Sequence, residues 1–190
     1  MSTLVLLRHG QSIWNKENRF TGFVDIDLSE NGVEEAKQAG QLLKAIHFDK
    51  VYTSTLKRAY HTAALALAEA GQSNVPVIKH DDLRERDYGD LTGLDKDEVR
   101  KMFGEDQVRV WRRSYDVRPP NGESLQDVVS RVKPYYEAHI LPDLKAGKNI
   151  LLAAHGNTLR AMLIVLGKNT TEDIEFVDVA TGVPMILENI

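Results

Sequence analysis

Two apolar segments far apart in the chain each end in a histidine followed by a glycine. They are residues 4–10, LVLLRHG, and residues 150–157, ILLAAHGN. A short apolar run of this kind, bounded by glycine and followed by a helical pattern, predicts a buried strand of an α/β sheet. Open α/β sheets bind ligands beyond the carboxyl ends of their strands. If the two strands lie parallel in one sheet, we expect His9 and His155 to converge there, with Arg8 between them.

The remaining segments favour the same fold class. Further strands are predicted at residues 50–53 and 75–78, with weaker ones near Phe176 and at 183–187. Helices are predicted after the N-cap Ser29, after the N-cap Thr55 as far as Gly71, at 96–103, 105–114, 125–141 and 158–166, and near Glu172. A polar loop is predicted at 11–27. Pro142 is predicted to end or bend the helix before it. Because strands and helices alternate, the chain is predicted to form a three-layer α/β fold with a doubly wound, mostly parallel sheet flanked by helices.

A single domain over residues 1–190 is expected, since this length buries a substantial core and no repeat or linker interrupts it. Residues 81–123 differ from the rest in being irregular, charged and rich in glycine and arginine. A long segment of this kind inside a compact domain is usually functional. We therefore expect a lid or substrate-binding region there.

Composition excludes several classes of function. The chain contains no cysteine, which removes thiolate metal sites and cysteine nucleophiles. Its net charge of −4 argues against nonspecific nucleic-acid binding, and no apolar run approaches the length that spans a membrane. No secretory signal pattern opens the sequence, so a cytoplasmic protein is expected. No metal-ligand motif is present, and no metal is predicted.

The residues around His9 suit chemistry on a phosphate. An imidazole attacks phosphorus well when the charge of the phosphate is neutralised, which Arg8 and Arg58 could do. Gly10 lacks a Cβ and would let a bulky anion approach, and Ser12 could help to cradle phosphate oxygens. A lone histidine at a strand end is more often a polar cap, but this context favours covalent transfer through phosphohistidine.

An ordered set of motifs then indicates a family. The chain resembles the histidine phosphatase superfamily through its Arg-His-Gly signature, and within it the family of cofactor-dependent phosphoglycerate mutases. The matching stretches are residues 6–12, 14–22, 52–59, 85–89, 93–96, 111–113, 153–157 and 181–184, so that the similarity covers nearly the whole chain.

This resemblance implies roles for individual residues. His9 would be the phosphorylated nucleophile, with Arg8, Arg58 and His155 around the transferring phosphoryl group, and Glu85 would be the general acid and base. Polar ligands of the substrate or its phosphate would be Asn15, Thr21, Gly22 and Asn157, and the clamp on the far end of the substrate would be Tyr88, Lys96, Arg112 and Arg113. The remaining histidines, His47, His61, His80 and His139, are expected to be surface or packing residues.

The implied activity is interconversion of 2-phosphoglycerate and 3-phosphoglycerate in glycolysis and gluconeogenesis, primed by 2,3-bisphosphoglycerate. The partners would be small phosphoglycerates, with no nucleic acid and no membrane, in a monomer or small homo-oligomer. Two alternatives stay open: a phosphatase of the same superfamily acting on small phosphate esters, and a noncatalytic module that binds them.

Two departures from the family pattern accompany this interpretation. Residues 119–122 bridge directly where many members carry an insertion, which is expected to affect subunit contacts more than chemistry. The sequence stops at Ile190, where longer members have a mobile tail near the active site. If that tail excludes water, phosphohistidine is expected to hydrolyse more readily here.

Overall fold

A five-stranded sheet forms the centre of the computed structural model, which describes residues 2–188 and 190. Its strands are β1 (Thr3–Arg8), β2 (Lys50–Thr53), β3 (Val77–Lys79), β4 (Ile150–Ala154) and β5 (Pro184–Glu188), in the order β3-β2-β4-β1-β5. The first four strands are parallel and β5 pairs antiparallel to β1. This arrangement confirms the predicted mostly parallel α/β sheet.

The two histidine-bearing strands are neighbours. β1 and β4 pair in parallel with Arg8 opposite Ala154, and the backbone N–H of His9 continues the ladder to the Ala154 carbonyl oxygen at 3.0 Å. Because the paired strands end at the same level, His9 and His155 both leave the sheet at its carboxyl edge. The predicted convergence of the two strands is confirmed.

Helices cover both faces of the sheet and complete three layers. They are α1 (Ile13–Lys16), α2 (Glu30–Leu43), α3 (Lys57–Glu69), α4 (Lys96–Phe103), α5 (Glu105–Arg113), α6 (Leu125–Tyr135), α7 (Leu141–Lys145) and α8 (Gly156–Val165). On β1, Leu4 and Leu6 pack into the core shared with α6 and α8, while Val5 and Leu7 pack into the core shared with α2 and α3. Side chains alternate between the faces of a strand, and burial on both faces explains the uninterrupted apolar run.

Three helix boundaries differ from the predictions. Ser29 caps α2 as expected, but α3 begins after Leu56, because the Thr55 hydroxyl donates to Asp81 instead of capping the helix. The predicted helix at 125–141 ends earlier and continues as a π-helical turn, Tyr136–Ile140. The helical run continues from this turn through Pro142 to Lys145, so Pro142 does not end the helix.

Two short segments were also interpreted wrongly. The predicted loop at 11–27 contains α1, whose N-cap Ser12 forms a reciprocal capping box with Asn15. The predicted strand near Phe176 is instead part of a 3₁₀ turn, Ile174–Phe176, and this turn is the short helix expected near Glu172. Such short elements depend on local capping and turn hydrogen bonds, which the hydrophobic pattern does not report.

The glycine after His9 is required by backbone packing. A Cβ on Gly10 would lie 2.2 Å from the carbonyl oxygen of Gly32 in α2, which no side chain could occupy. We expected Gly10 to give an anion room to approach. The structure instead shows that it lets the loop after β1 lie directly on α2, and this contact fixes the position of His9.

Residues 81–123 are mostly turns and short helices. This segment contains two 3₁₀ turns, Asp81–Leu83 and Gly89–Leu91, followed by α4 and α5. It has its own small apolar core of Leu91, Val99, Val108 and Trp111, completed by Phe20. Within residues 2–188 and 190, no helix is long and apolar enough to cross a bilayer.

Candidate active site

His9 lies at the bottom of a cavity at the carboxyl edge of the sheet and is only 2 % exposed. Its Nδ1 is 2.6 Å from the carbonyl oxygen of Gly10. Because a carbonyl can only accept, Nδ1 carries the proton of the neutral ring and donates it to this oxygen. The lone pair is therefore on Nε2, on the opposite side of the ring. This is the tautomer that a nitrogen nucleophile needs.

His155 lies behind His9, with the two ring centroids 5.1 Å apart and the rings in edge-to-face orientation. It is completely buried and is not among the described residues that line the cavity. Its Nε2 is 2.6 Å from the Ser54 hydroxyl, whereas its buried Nδ1 has no hydrogen-bond partner among residues 2–188 and 190. A buried polar atom without a partner is costly and indicates a place where a ligand atom can bind.

Two guanidinium groups flank His9. Arg58 is 1 % exposed, and its Nη1 and Nη2 donate to the carbonyl oxygens of Val24 and Gly22 at 2.8 and 2.7 Å. Arg8 donates from Nη1 to the Val179 carbonyl oxygen at 2.6 Å, while its buried Nε has no partner in the described part of the chain. These backbone contacts hold the charges in fixed positions. Burial lowers the pKa of Arg58 to about 10, which still leaves it charged at neutral pH.

Glu85 is held at the start of α8. Its Oε1 accepts the backbone N–H groups of Arg86 at 2.8 Å and Asn157 at 3.2 Å. Only 8 % of the residue is exposed, and it lines the same cavity as His9. With one oxygen occupied by the backbone, Oε2 is free to exchange a proton with a bound hydroxyl group.

A second group of cations lines the same cavity. It consists of Lys96, Arg112 and Arg113, and burial, together with repulsion from neighbouring arginines, lowers the pKa of both Lys96 and Arg112. The Tyr88 hydroxyl accepts from Arg86 Nη2 at 3.2 Å and from Asn157 Nδ2 at 3.3 Å, so its own hydrogen remains available. Charges that repel one another at close range favour an anion between them.

Most of the residues predicted for the site do line this cavity. They are Arg8, His9, Asn15, Thr21, Gly22, Arg58, Glu85, Tyr88, Lys96, Arg112, Arg113 and Asn157. Two do not. His155 lies beside His9, and Ser12 is fully buried with its hydroxyl accepting from the Asn15 N–H.

Five lining residues were not predicted: Arg19, Phe20, Gly156, Arg160 and Asp178. Arg160 could have been found from helical spacing, because it lies one turn after Asn157 and donates to its Oδ1 at 2.9 Å. Arg19 and Phe20 lie inside a recognised motif. No pattern in the sequence pointed to Asp178. Among residues 2–188 and 190, no cluster of three potential metal-ligating side chains was found.

We expect the two buried imidazoles to make the stability of the fold depend on pH. Burial, reinforced by the charge of Arg58, holds the pKa of both His9 and His155 well below the ordinary value of about 6.5. Below that pH the unfolded chain binds protons that the folded chain does not. The stability is therefore fully present above pH 6.5 and falls as the pH decreases, by about 1.4 kcal/mol per pH unit for each proton.

Urea unfolding at pH 7.5 and pH 5.5 tests this expectation. Between pH 7.5 and pH 5.5 the free energy of unfolding should fall by about 1.4 kcal/mol less in His9→Gln than in the wild type, because one of the two buried imidazoles is gone. His47→Gln, which changes an exposed histidine, serves as the control and should match the wild type. An identical pH dependence in His9→Gln and wild type would contradict the assignment of a neutral, buried His9.

Comparisons with known proteins agree with this geometry. A family model described as the histidine phosphatase superfamily (branch 1) matches residues 4–182. A 2,3-bisphosphoglycerate-dependent phosphoglycerate mutase from Bradyrhizobium diazoefficiens is 57 % identical over 185 residues, covering 96 % of this chain and 89 % of the relative. One from Rhizobium meliloti is 54 % identical over 186 residues, covering 97 % and 88 %.

Solved structures with the same fold include phosphatases. A mycobacterial glucosyl-3-phosphoglycerate phosphatase in complex with VO3 superposes with a TM-score of 0.87 at 28 % identity, covering 98 % of this chain and 92 % of that one. The α-ribazole phosphatase from Shigella flexneri gives a TM-score of 0.79 at 26 % identity, covering 97 % and 89 %.

Proposed function

The chain belongs to branch 1 of the histidine phosphatase superfamily, and from this premise we propose that it interconverts 2-phosphoglycerate and 3-phosphoglycerate. The observation that carries the proposal is the number of cations that share one cavity with His9. Arg8 and Arg58 line it beside His9, and Lys96, Arg112 and Arg113 line it as a second group. A phosphoglycerate is anionic at both ends, so it matches the two groups of charges at once. Identities above 50 % to relatives with this activity support the same assignment.

The primer 2,3-bisphosphoglycerate fits the residues that line the cavity. The cavity holds more cations than carboxylates, and Arg8 Nε and Thr21 Oγ1 are buried polar atoms without partners in residues 2–188 and 190. These features suit a ligand with an acidic group at each end. When bound, 2,3-bisphosphoglycerate supplies the phosphoryl group that primes His9.

His9 is the nucleophile in this mechanism. The Nε2 lone pair forms a bond to phosphorus as the bond from phosphorus to the departing hydroxyl oxygen breaks, and Nδ1 keeps its hydrogen bond to Gly10. Glu85 gives its proton to that oxygen. In the reverse direction Glu85 removes the proton from the accepting hydroxyl, which then takes the phosphoryl group from Nε2. Atoms and protons balance over the two half-reactions, which together move the phosphate between hydroxyl groups.

Electrostatic stabilisation accounts for most of the rate in this proposal. Charge spreads over the equatorial phosphoryl oxygens in the transition state, and positions fixed beforehand cost no reorganisation. Arg8 and Arg58 occupy such positions because backbone carbonyl oxygens hold them. We assign the His155 Nδ1 a similar role. Among residues 2–188 and 190 the Ser54 hydroxyl has no acceptor other than His155 Nε2, so it donates to Nε2 and leaves the ring proton on Nδ1 as a donor for a phosphoryl oxygen.

A phosphatase acting on small phosphate esters is the second candidate. The similarity of the fold to known phosphatases favours it. A phosphatase transfers the phosphoryl group to water and needs no clamp at the far end of the substrate. The presence of Lys96, Arg112 and Arg113 in the same cavity as His9 therefore favours the mutase, which must retain and reorient a doubly charged ligand.

One assay decides between these candidates. The purified chain is given 3-phosphoglycerate with and without a catalytic amount of 2,3-bisphosphoglycerate, and both isomers and free phosphate are measured. We expect the primer to stimulate turnover and many isomerisations to occur for each phosphate released. Release of one phosphate for every substrate consumed would establish the phosphatase instead.

The remaining features of the proposal concern context. We infer that residues 1–190 act as one domain, with 81–123 as the segment that covers the substrate. The metabolic role would be in glycolysis and gluconeogenesis, which places the protein in the cytoplasm. The reaction uses no metal ion, since two guanidinium groups supply the positive charge. A monomer or a small homo-oligomer is compatible with a site built within one chain.

A further inference from the structure

One cation of the group Lys96, Arg112 and Arg113 already has an anionic partner. Arg113 Nη2 is 2.8 Å from Oδ1 of Asp178, and both residues line the cavity. The hydrogen bond to Arg113 is the main cause that holds the pKa of Asp178 below its usual value, with Arg160 and Arg8 also contributing. The carboxylate is therefore ionised at neutral pH, and it lies in a cavity otherwise suited to anions.

The other two cations of this group are different. Within residues 2–188 and 190, neither Lys96 nor Arg112 forms an ion pair with a carboxylate, and burial, together with neighbouring arginine charge, lowers the pKa of each. Arg113 alone of the three is neutralised. The anion that neutralises it comes from the segment between the 3₁₀ turn Ile174–Phe176 and β5, not from the segment that carries the cations.

The pair is weak enough to be displaced. The Asp178 side chain is 84 % exposed and the Arg113 side chain is 29 % exposed. Exposed pairs of this kind contribute at most about 1 kcal/mol, because water screens the charges. A ligand that is also held at the His9 end presents its acidic group to Arg113 at high effective concentration, and can replace the carboxylate. A small anion bound at one end only has no such advantage.

We propose that Asp178 is a specificity-determining residue whose carboxylate competes with the acidic end of the ligand for Arg113. This inference rests on the function proposed above and adds a built-in competitor to it. The competition lowers the affinity for every anion that reaches Arg113. A ligand with two acidic ends overcomes it, whereas a ligand with one does not. The same competition helps to release the product, since the carboxylate regains its partner as the ligand leaves.

The variant Asp178→Asn tests the proposal by removing the charge while keeping the shape. Binding of 3-phosphoglycerate is measured by calorimetry at low ionic strength on the full chain without 2,3-bisphosphoglycerate. We expect the dissociation constant to fall about threefold to fivefold. Since the side chain is exposed, the variant should fold as the wild type does, which its thermal unfolding checks. Asp178→Glu, which keeps the charge, should restore an affinity closer to that of the wild type.

Glu175→Gln is the matched control. Glu175 is the carboxylate 3.7 Å from Arg109, and it lines a neighbouring cavity but not the one that holds His9. The substitution Glu175→Gln removes the same charge from the same region as Asp178→Asn does. A general electrostatic effect would therefore change the dissociation constant equally in both variants. We expect Glu175→Gln to bind 3-phosphoglycerate as the wild type does. In an Arg113→Gln background the substitution Asp178→Asn should no longer tighten binding, because the contested group is absent.

Each outcome bears on the proposal. Equal or weaker binding by Asp178→Asn, equal tightening by Glu175→Gln, or tightening that persists without Arg113 would overturn it. Inorganic phosphate serves as a second probe and separates this inference from the proposed function. If phosphate binds but 3-phosphoglycerate does not, the substrate assignment fails, and the number of phosphate ions bound by wild type and by Asp178→Asn decides the role of Asp178, with equal numbers rejecting it. If neither anion binds, both proposals fail.

Discussion

Replacing His9 by alanine is expected to reduce mutase activity at least about 10⁴-fold, the scale that accompanies loss of a covalent nucleophile. The alanine has no lone pair at the position of Nε2, and no other described imidazole lines the cavity. In the wild type, 2,3-bisphosphoglycerate should label the protein, and the label should be acid-labile and base-stable, as expected for a phosphorylated imidazole. His9→Ala should carry no such label. Isomer conversion and the label are measured on the same preparation.

His47→Ala is the control for this experiment, because it removes an exposed imidazole. It should retain both activity and label. His9→Ala leaves the far cations in place, so 3-phosphoglycerate should still bind and show that the cavity is intact. Mutase activity at the wild-type level in His9→Ala would end the covalent mechanism.

Replacing Glu85 by glutamine is expected to lower kcat by about 10² to 10⁴, the usual contribution of a positioned acid or base. The amide oxygen of glutamine can still accept the N–H groups of Arg86 and Asn157, so the start of α8 should stay in place. The amide cannot exchange a proton with the substrate hydroxyl. The loss should therefore appear in kcat, with KM changed less than about threefold.

The pre-steady-state rate of His9 labelling separates chemistry from folding in this variant. It should fall together with kcat, because Glu85 must protonate the oxygen that leaves phosphorus. Glu34→Gln, an exposed carboxylate on α2 paired with Lys37, is the matched control and should behave as the wild type. A Glu85→Gln enzyme with unchanged kcat would assign proton transfer to another group.

The arrangement of β1 and β4 could be predicted from the amino-acid sequence because burial on both faces leaves a clear signal. A continuous apolar run followed by His-Gly marks the end of such a strand, and two runs of this kind placed His9 near His155 before any coordinates. The capping of α2 by Ser29 could also be predicted from the sequence. The prediction failed for Thr55 and Pro142, where a contact with Asp81 and the π-helical turn decide the boundaries. Both depend on tertiary packing.

Which residues line the cavity could largely be predicted from the sequence, but their contacts could not. The motif containing Arg8 and His9 does not tell which nitrogen of His9 is protonated, nor that His155 is not among the described residues that line the cavity. The N-cap role of Ser12 was not predicted, since a serine near a phosphate motif and a serine at an N-cap have the same local pattern. Asp178 has no motif at all. Its contact with Arg113 arises because two segments that are far apart in the sequence approach each other in the fold.

The hydrogen bond between the His9 ring and the carbonyl oxygen of Gly10 has a consequence for how reactive the phosphorylated ring is. A carboxylate partner would make the imidazole more basic and the bond from nitrogen to phosphorus harder to break. A neutral amide oxygen exerts a much weaker pull on the ring proton, so the imidazole remains a good leaving group in either direction of transfer. The partner also belongs to the main chain, so no single side-chain replacement can take it away.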